Sequence, residues 1–225
     1  SQHRAVVFDP KKVLQVNAPP GTGKTKVIIS RIVYLLTVAK LPPESIICTT
    51  FGVKAKEEIV DRLSKALENT DINYTQVNVG TFHGICYGIL RKNGYRIGCT
   101  DLEVISDDDQ EKLLKKMVED VPPHILDAAS SFLRKKNLMM MNKDGAYVLS
   151  VKLIKSNISK LKSQGQSVQD YTNAHDVDQA LLYFYEKYQK AMKEQKKVDF
   201  DDLLLQAYTL LKEHNCLKQV QHVLV

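Results

Sequence analysis

Ala18-Pro19-Pro20-Gly21-Thr22-Gly23-Lys24-Thr25 decides the fold. The stretch follows a β-branched run at Val13–Val16, read as a first strand. It precedes Val27, Ile28, Ile32, Leu35 and Leu36, whose spacing predicts a helix buried along one side. In a glycine-rich turn between strand and helix, backbone N–H groups can close around a phosphate. Gly21 and Gly23 put no Cβ in the way, and the helix N-terminus favours negative charge. The pattern G-x-x-x-x-G-K-[ST] is met everywhere except its first position, where Ala18 stands for glycine. Lys24 then reaches the β- and γ-phosphates and Thr25 offers a hydroxyl to Mg²⁺. These two are the candidate catalytic residues, Thr25 is the candidate metal ligand, and Ala18, Pro19, Pro20, Gly21, Thr22, Gly23, Lys24 and Thr25 form the candidate nucleotide cradle.

Outward from the loop, β-branched runs alternate with amphipathic patterns, as in βαβ units around a parallel sheet. Pro42 and Pro43 end the first helix. Ser45–Thr50 reads as a second strand, Lys54–Leu67 as a helix with Ile59, Leu63 and Leu67 on one stripe, Gln76–Val79 as a third strand and His83–Lys92 as a short helix. After Gly94 the pattern becomes mostly helical, with Asp107 placed to cap a helix running to about Glu119 and Pro122-Pro123 interrupting. Apolar density returns near Val198, and Val223–Val225 reads as the start of a buried strand.

The 225 residues, 44% of them hydrophobic, suffice for one domain or two, and a net charge of +6 is compatible with a polyanionic partner. Cys48, Cys86, Cys99 and Cys216 form no C-x-x-C pair, so neither a disulfide framework nor a structural metal is expected, and a reducing compartment fits. No apolar run approaches the roughly 18 residues that a membrane span needs. Ser1 opens inside a helical pattern, so native residues, including any targeting peptide, are expected to precede it.

Further motifs carry a family resemblance. Gln2-His3-Arg4-Ala5-Val6, Thr49-Thr50-Phe51-Gly52-Val53-Lys54-Ala55, Gly80-Thr81-Phe82-His83-Gly84-Ile85-Cys86 and Val198-Asp199-Phe200-Asp201-Asp202-Leu203-Leu204 stand in the order of the N-terminal motifs of the UvrD/Rep-like superfamily 1 DNA helicases. Together they resemble that family over essentially the whole chain. The resemblance implies that Gln2 hydrogen-bonds the adenine edge, that Phe51 stacks on a DNA base, and that Thr81 and His83 touch the DNA backbone. It also implies ATP and Mg²⁺ as cofactors. Where the family has Thr and Asn after its aromatic, this chain has Gly52 and Val53, which removes a phosphate-contacting hydroxyl. Read without the family, Phe51 has a core aromatic at a strand end as its lesser alternative, and His83 is more often a satisfied histidine near a helix start. In the family, His222-Val223-Leu224-Val225 opens the strand that carries the Walker B acids. Those acids and the arginine finger of a second motor domain lie outside these residues, so the isolated piece is expected not to turn over ATP appreciably. Asp201 and Asp202 read as capping or surface acids.

From Arg134 to Lys162 the basic residues Arg134, Lys135, Lys136, Lys143, Lys152, Lys155, Lys160 and Lys162 face one acid, Asp144, a local charge of +7. Such a segment is either a solvated helical face or a surface that follows a phosphate backbone. In the family the corresponding subdomain lies over duplex DNA, which implies DNA contacts at Lys152, Lys155, Lys160 and Lys162. Met139, Met140 and Met141 beside it read as core filler or a mobile hinge. The wording of this segment is similar to the anti-recombinase branch of the family in budding yeast, which implies a nuclear protein acting on single-stranded DNA and duplex junctions, with recombinase filament proteins as partners. A mitochondrial fungal relative shares the core motifs and keeps that location open.

The resulting expectation is a RecA-like P-loop NTPase α/β domain, discontinuous in sequence. Residues 1–93 and 198–225 form the motor domain and 94–197 an inserted, mainly helical subdomain; the fragment is expected to be monomeric. The parent enzyme would be an ATP-dependent 3′→5′ DNA translocase or helicase in repair and recombination control. Two rivals are an RNA-directed superfamily 1 helicase and a non-catalytic DNA-binding module.

Overall fold

The computed structural model describes residues 2–100, 102–131, 138–174 and 177–225. Two compact units emerge, one of residues 1–89 with 211–225, the other of residues 90–210. In chain order the elements are α1 (Gln2–Val6), α2 (Lys24–Thr37), β1 (Ile46–Thr50), α3 (Val53–Leu67), β2 (Asn78–Thr81) and α4 (Phe82–Asn93). Then follow β3 (Glu103–Val104), α5 (Asp107–Glu119), α6 (Pro123–Ser131), β4 (Met139–Met141), β5 (Tyr147–Leu149), α7 (Val151–Ser163) and α8 (Val168–Thr172). The chain ends with α9 (Gln179–Glu194), β6 (Lys197–Val198), α10 (Phe200–Glu213) and β7 (His222–Leu224).

The first unit is built on a parallel sheet in the order β2-β1-β7. Flanked on both edges, β1 buries Ile46, Ile47, Cys48 and Thr49, the continuous burial that a central parallel strand demands. Burial also pushes the Cys48 thiol up to about 11. Against the sheet pack Ile32, Leu35 and Leu36 of α2 and Ile59, Leu63 and Leu67 of α3, each at most 3% exposed. On the solvent side of α3, Glu58–Arg62 and Asp61–Lys65 pair at helical spacing.

One expected strand does not form. Val13–Val16 has no regular structure, and Val13 is 97% exposed. The segment lines a cleft of ≈ 590 Å³ together with Val223, Leu224 and Val225, without ladder bonds to β7. Alternation and β-branching give a segment the capacity to be a strand, but only a paired neighbour makes it one.

The second unit is helical around α9, whose Leu181, Phe184, Tyr185, Tyr188 and Met192 join Leu114 of α5, Ile125 of α6 and Ile154, Ile158 and Leu161 of α7 in a separate core. Desolvation lifts the Tyr185 hydroxyl to about 12. Asp178 starts α9 by accepting from the N–H groups of Ala180 and Leu181 at 3.1 Å. Ser106, and not Asp107, caps α5, its hydroxyl accepting from Asp109 N at 3.1 Å; Asp107 is the first helical residue. Of the three consecutive methionines, Met139 is core and Met140 and Met141 are exposed, in a hairpin that pairs β4 with β5.

Candidate functional site

The loop from Ala18 to Gly23 runs into α2. Gly21 (φ 76°) and Gly23 (φ 86°) are both left-handed, the conformation that closes the turn and that a side chain would strain. Gly23 occupies the N-cap position without a side-chain cap, and no acid lies in the first turn of α2, so its leading N–H groups remain available to an anion. Thr22 Oγ1 donates to Pro19 O at 2.7 Å and braces the loop. Lys24 folds back over it, its Nζ donating to Ala18 O at 3.0 Å and to Pro19 O at 2.8 Å. Gln2 Nε2 donates to Thr22 O at 2.7 Å, and a Cβ on Gly23 would stand 3.2 Å from that nitrogen. Gln2, Ala18, Thr22 and Lys24 thus line one hollow of ≈ 290 Å³ with Val16, Asn17 and Val27. Thr25 is half-buried in the first turn of α2.

A residue missed in the sequence reading holds this arrangement. Arg31, buried in α2, donates through one guanidinium nitrogen to Val6 O at 2.7 Å and Phe8 O at 2.6 Å, which ties the segment bearing Gln2 onto the helix bearing Lys24. Burial is the main influence on it and lowers its pKa. The available signal was a charged residue inside the apolar stripe of Ile28, Ile32 and Leu35.

The second group of expected residues lies where β1 and β2 end. Thr50 pairs with Thr81 in parallel register, which sets Phe51 and Phe82 immediately beyond the same edge. Phe51 is 107% exposed, which excludes the core reading. Gly52 caps α3 with backbone alone. Thr81 Oγ1 accepts from Gly84 N at 3.1 Å and so caps α4, leaving its hydroxyl proton free to be donated outward. His83 is half-buried in the first turn of α4. A Cβ on Gly80 would sit 2.9 Å from Ile85 Cγ1, so the strand end admits only glycine without rearrangement.

The basic insertion divides. Lys152 and Lys160 are exposed on α7, and Lys155 pairs with Asp107 at 2.8 Å. Arg134, Lys135 and Lys136 lie outside the described residues. Lys162 corrects the sequence reading: it is 0% exposed and cannot reach DNA. Its Nζ lies 2.6 Å from Asp199 Oδ2 and 2.8 Å from Asp202 Oδ1, and 5.0 Å from the centre of the Tyr188 ring. The Tyr188 hydroxyl donates to Asp199 at 2.9 Å and accepts from Gln110 Nε2 at 2.7 Å. Asp199 Oδ1 also accepts from Asp202 N at 2.8 Å, which makes Asp199 the cap of α10. Asp202 is therefore a buried partner of a lysine and not a surface acid, and its Oδ2 accepts in turn from Asp199 N at 3.5 Å, the reciprocal half of that cap. Burial opposes ionisation of both carboxyls. At Asp199 the Lys162 ammonium together with the hydrogen bonds from Asp202 N and the Tyr188 hydroxyl outweighs it and the pKa falls; at Asp202 burial, with the neighbouring Asp199 charge, prevails and the pKa rises.

Among the described residues there is no cluster of three metal-ligating side chains and no helix long and apolar enough to cross a membrane. The model of the UvrD/REP helicase N-terminal domain family matches residues 1–225. The chain is 41% identical over its whole length to the ATP-dependent DNA helicase SRS2 of Saccharomyces cerevisiae, of which it covers 19%. It is 30% identical, again over its whole length, to the ATP-dependent DNA helicase srs2 of Schizosaccharomyces pombe, covering 25% of it. With DNA helicase II of Escherichia coli it shares 29% identity over 93% of its length, which is 26% of that protein. The chain spans about a fifth to a quarter of these relatives.

Proposed function

The chain belongs to the UvrD/REP helicase N-terminal domain family, whose RecA-like fold agrees with the parallel sheet, and on that premise we propose that it is the ATP- and single-stranded-DNA-binding front of a DNA translocase. One observation carries the reading: a loop with two left-handed glycines delivers Lys24 to the uncapped start of α2. The loop suits a chain of phosphates: Gly21 and Gly23 hold a left-handed backbone with no side chain in the way, and the first turn of α2 has neither a side-chain cap nor an acid. Lys24 would bind the β- and γ-phosphates, the N–H groups of α2 would hold the β-phosphate, Thr25 would present its hydroxyl to Mg²⁺, and Gln2 would leave Thr22 for the adenine edge. Bound Mg-ATP supplies the phosphoryl-transfer free energy that drives stepping.

On the DNA side, Phe51 would stack on a base while Thr81 and His83 contact the backbone. Lys152, Lys155 and Lys160 would face duplex phosphates, Lys155 after leaving Asp107. The parent would couple hydrolysis to 3′→5′ movement in repair and recombination control in the nucleus, with recombinase filaments as protein partners. The likeness to SRS2 supports this finer reading.

Lys24→Ala in the full-length protein tests the core of the proposal. DNA-stimulated ATP hydrolysis should be lost, because the γ-phosphate loses the one cation borne on the loop. Hydrolysis at the unmodified rate would remove the phosphate-loop assignment.

A further inference from the structure

Phe82 shares with Phe51 a placement that packing does not explain. It lies on the same α4 stripe as Ile85 and Ile89, yet each isoleucine is 7% exposed and Phe82 is 53% exposed. The register Thr50↔Thr81 brings the two strands to the edge as direct neighbours, about 4.8 Å apart. Each then presents a phenylalanine as its next residue. Val53, 60% exposed, extends the apolar surface along the start of α3.

The charge around these rings selects the occupant. Lys54 and Lys56 are exposed in the first turns of α3, and neither α3 nor α4 has an acid in its first turn. Rings set among cations, with no nearby acid in those turns, match a strand whose bases are unpaired and whose backbone is anionic. A protein partner on an apolar end whose first helical turns carry cations and no acids would have to bring the counter-charges itself, as a phosphate backbone does at every step.

We propose that Phe82 is a second base-contacting ring, so that one single strand is held by two neighbouring phenylalanines at the β1–β2 edge. The proposal rests on the DNA-binding reading above. It also assigns the hydroxyl proton of Thr81, which directly precedes Phe82 and pairs with the Thr50 that precedes Phe51, to the phosphate that joins the bases they hold.

The test uses the full-length protein with Phe82→Leu, Phe82→Tyr and Phe51→Leu. Anisotropy titrations at one salt concentration compare oligo(dT) with an abasic oligomer of equal length and charge. A stacking ring contributes enough that Phe82→Leu should weaken oligo(dT) binding about 5-fold or more. It should leave abasic binding within about 2-fold, and Phe82→Tyr should restore the difference. Equal losses on both probes would assign Phe82 a packing role and overturn the proposal. An effect of Phe51→Leu alone would overturn it while leaving the edge as a DNA face. If the unmodified protein does not distinguish the two probes, the DNA reading of this edge falls, and the proposal with it.

Discussion

Lys24 and Lys162 carry the same charge and opposite duties, and their surroundings decide which. Lys24 is exposed and hydrogen-bonded only to carbonyl oxygens, so its charge is uncompensated and open to an anion. Lys162 is enclosed, and its charge is consumed by Asp199 and Asp202. Removing one partner of a buried ionic group leaves the others uncompensated and typically costs about 3–5 kcal/mol. Lys162→Ala should therefore lower the unfolding free energy by about that amount in urea denaturation, whereas exposed Lys152→Ala should stay within about 0.5 kcal/mol. Equal small effects would mean that the triad contributes no net stability. The loop around Lys24 was legible because all its determinants are adjacent in sequence. The burial of Lys162 depends on carboxylates beyond α9, although its place four residues after Ile158 and eight after Ile154 already aligned it with the buried stripe.

Capping shows the same division at the scale of elements. The starts of α5 and α10 were visible as acid-rich, but the atoms that cap them belong to Ser106 and Asp199, each one residue before the helix. Sequence places a helix start within a residue or two, while backbone geometry selects the capping atom. At the head of α10 the two carboxyls respond oppositely to pH. Asp199, depressed in the folded protein, adds stability above the ordinary carboxylate range near about 4, and this is lost as pH falls through its folded pKa. Asp202, raised, binds its proton more tightly when folded, so its contribution declines as pH rises from about 4 through that raised value. Asp202→Asn should accordingly remove the part of the stability profile that declines with rising pH, and Asp199→Asn the part that is lost in acid. Urea midpoints measured from about pH 2 to 7 separate these outcomes, the Asp199 part below about 4 and the Asp202 part above it; identical profiles for the two variants would contradict the assignment. The missing strand at Val13–Val16 belongs to this scale too, because a pairing edge is not encoded in the segment that uses it.

Over the whole molecule, the sequence reading of a parallel sheet and a helical middle section holds, and what it missed is how charge is spent. The strongly basic segment from Arg134 to Lys162 loses Lys162 to the core and engages Lys155 with Asp107. Lys152 and Lys160 remain as exposed cations of α7. Replacing both with alanine in the full-length protein should flatten the salt dependence of duplex binding, by about 0.9 in the log–log slope for each phosphate contact removed. Single-strand affinity should change less. An unchanged duplex slope would make α7 a solvated face.

The two bonds from Lys24 to its own loop make the site its own competitor. Any anion entering must first displace the ammonium from Ala18 and Pro19, so every measured affinity is discounted by the fraction of molecules in which that lysine has let go. A single small oxyanion offers one point of contact to set against that displacement. A chain of phosphates offers several at once, to the ammonium and to the helix N–H groups together. The loop thereby acts as a threshold, discriminating by the number of simultaneous contacts a ligand brings and not by charge alone.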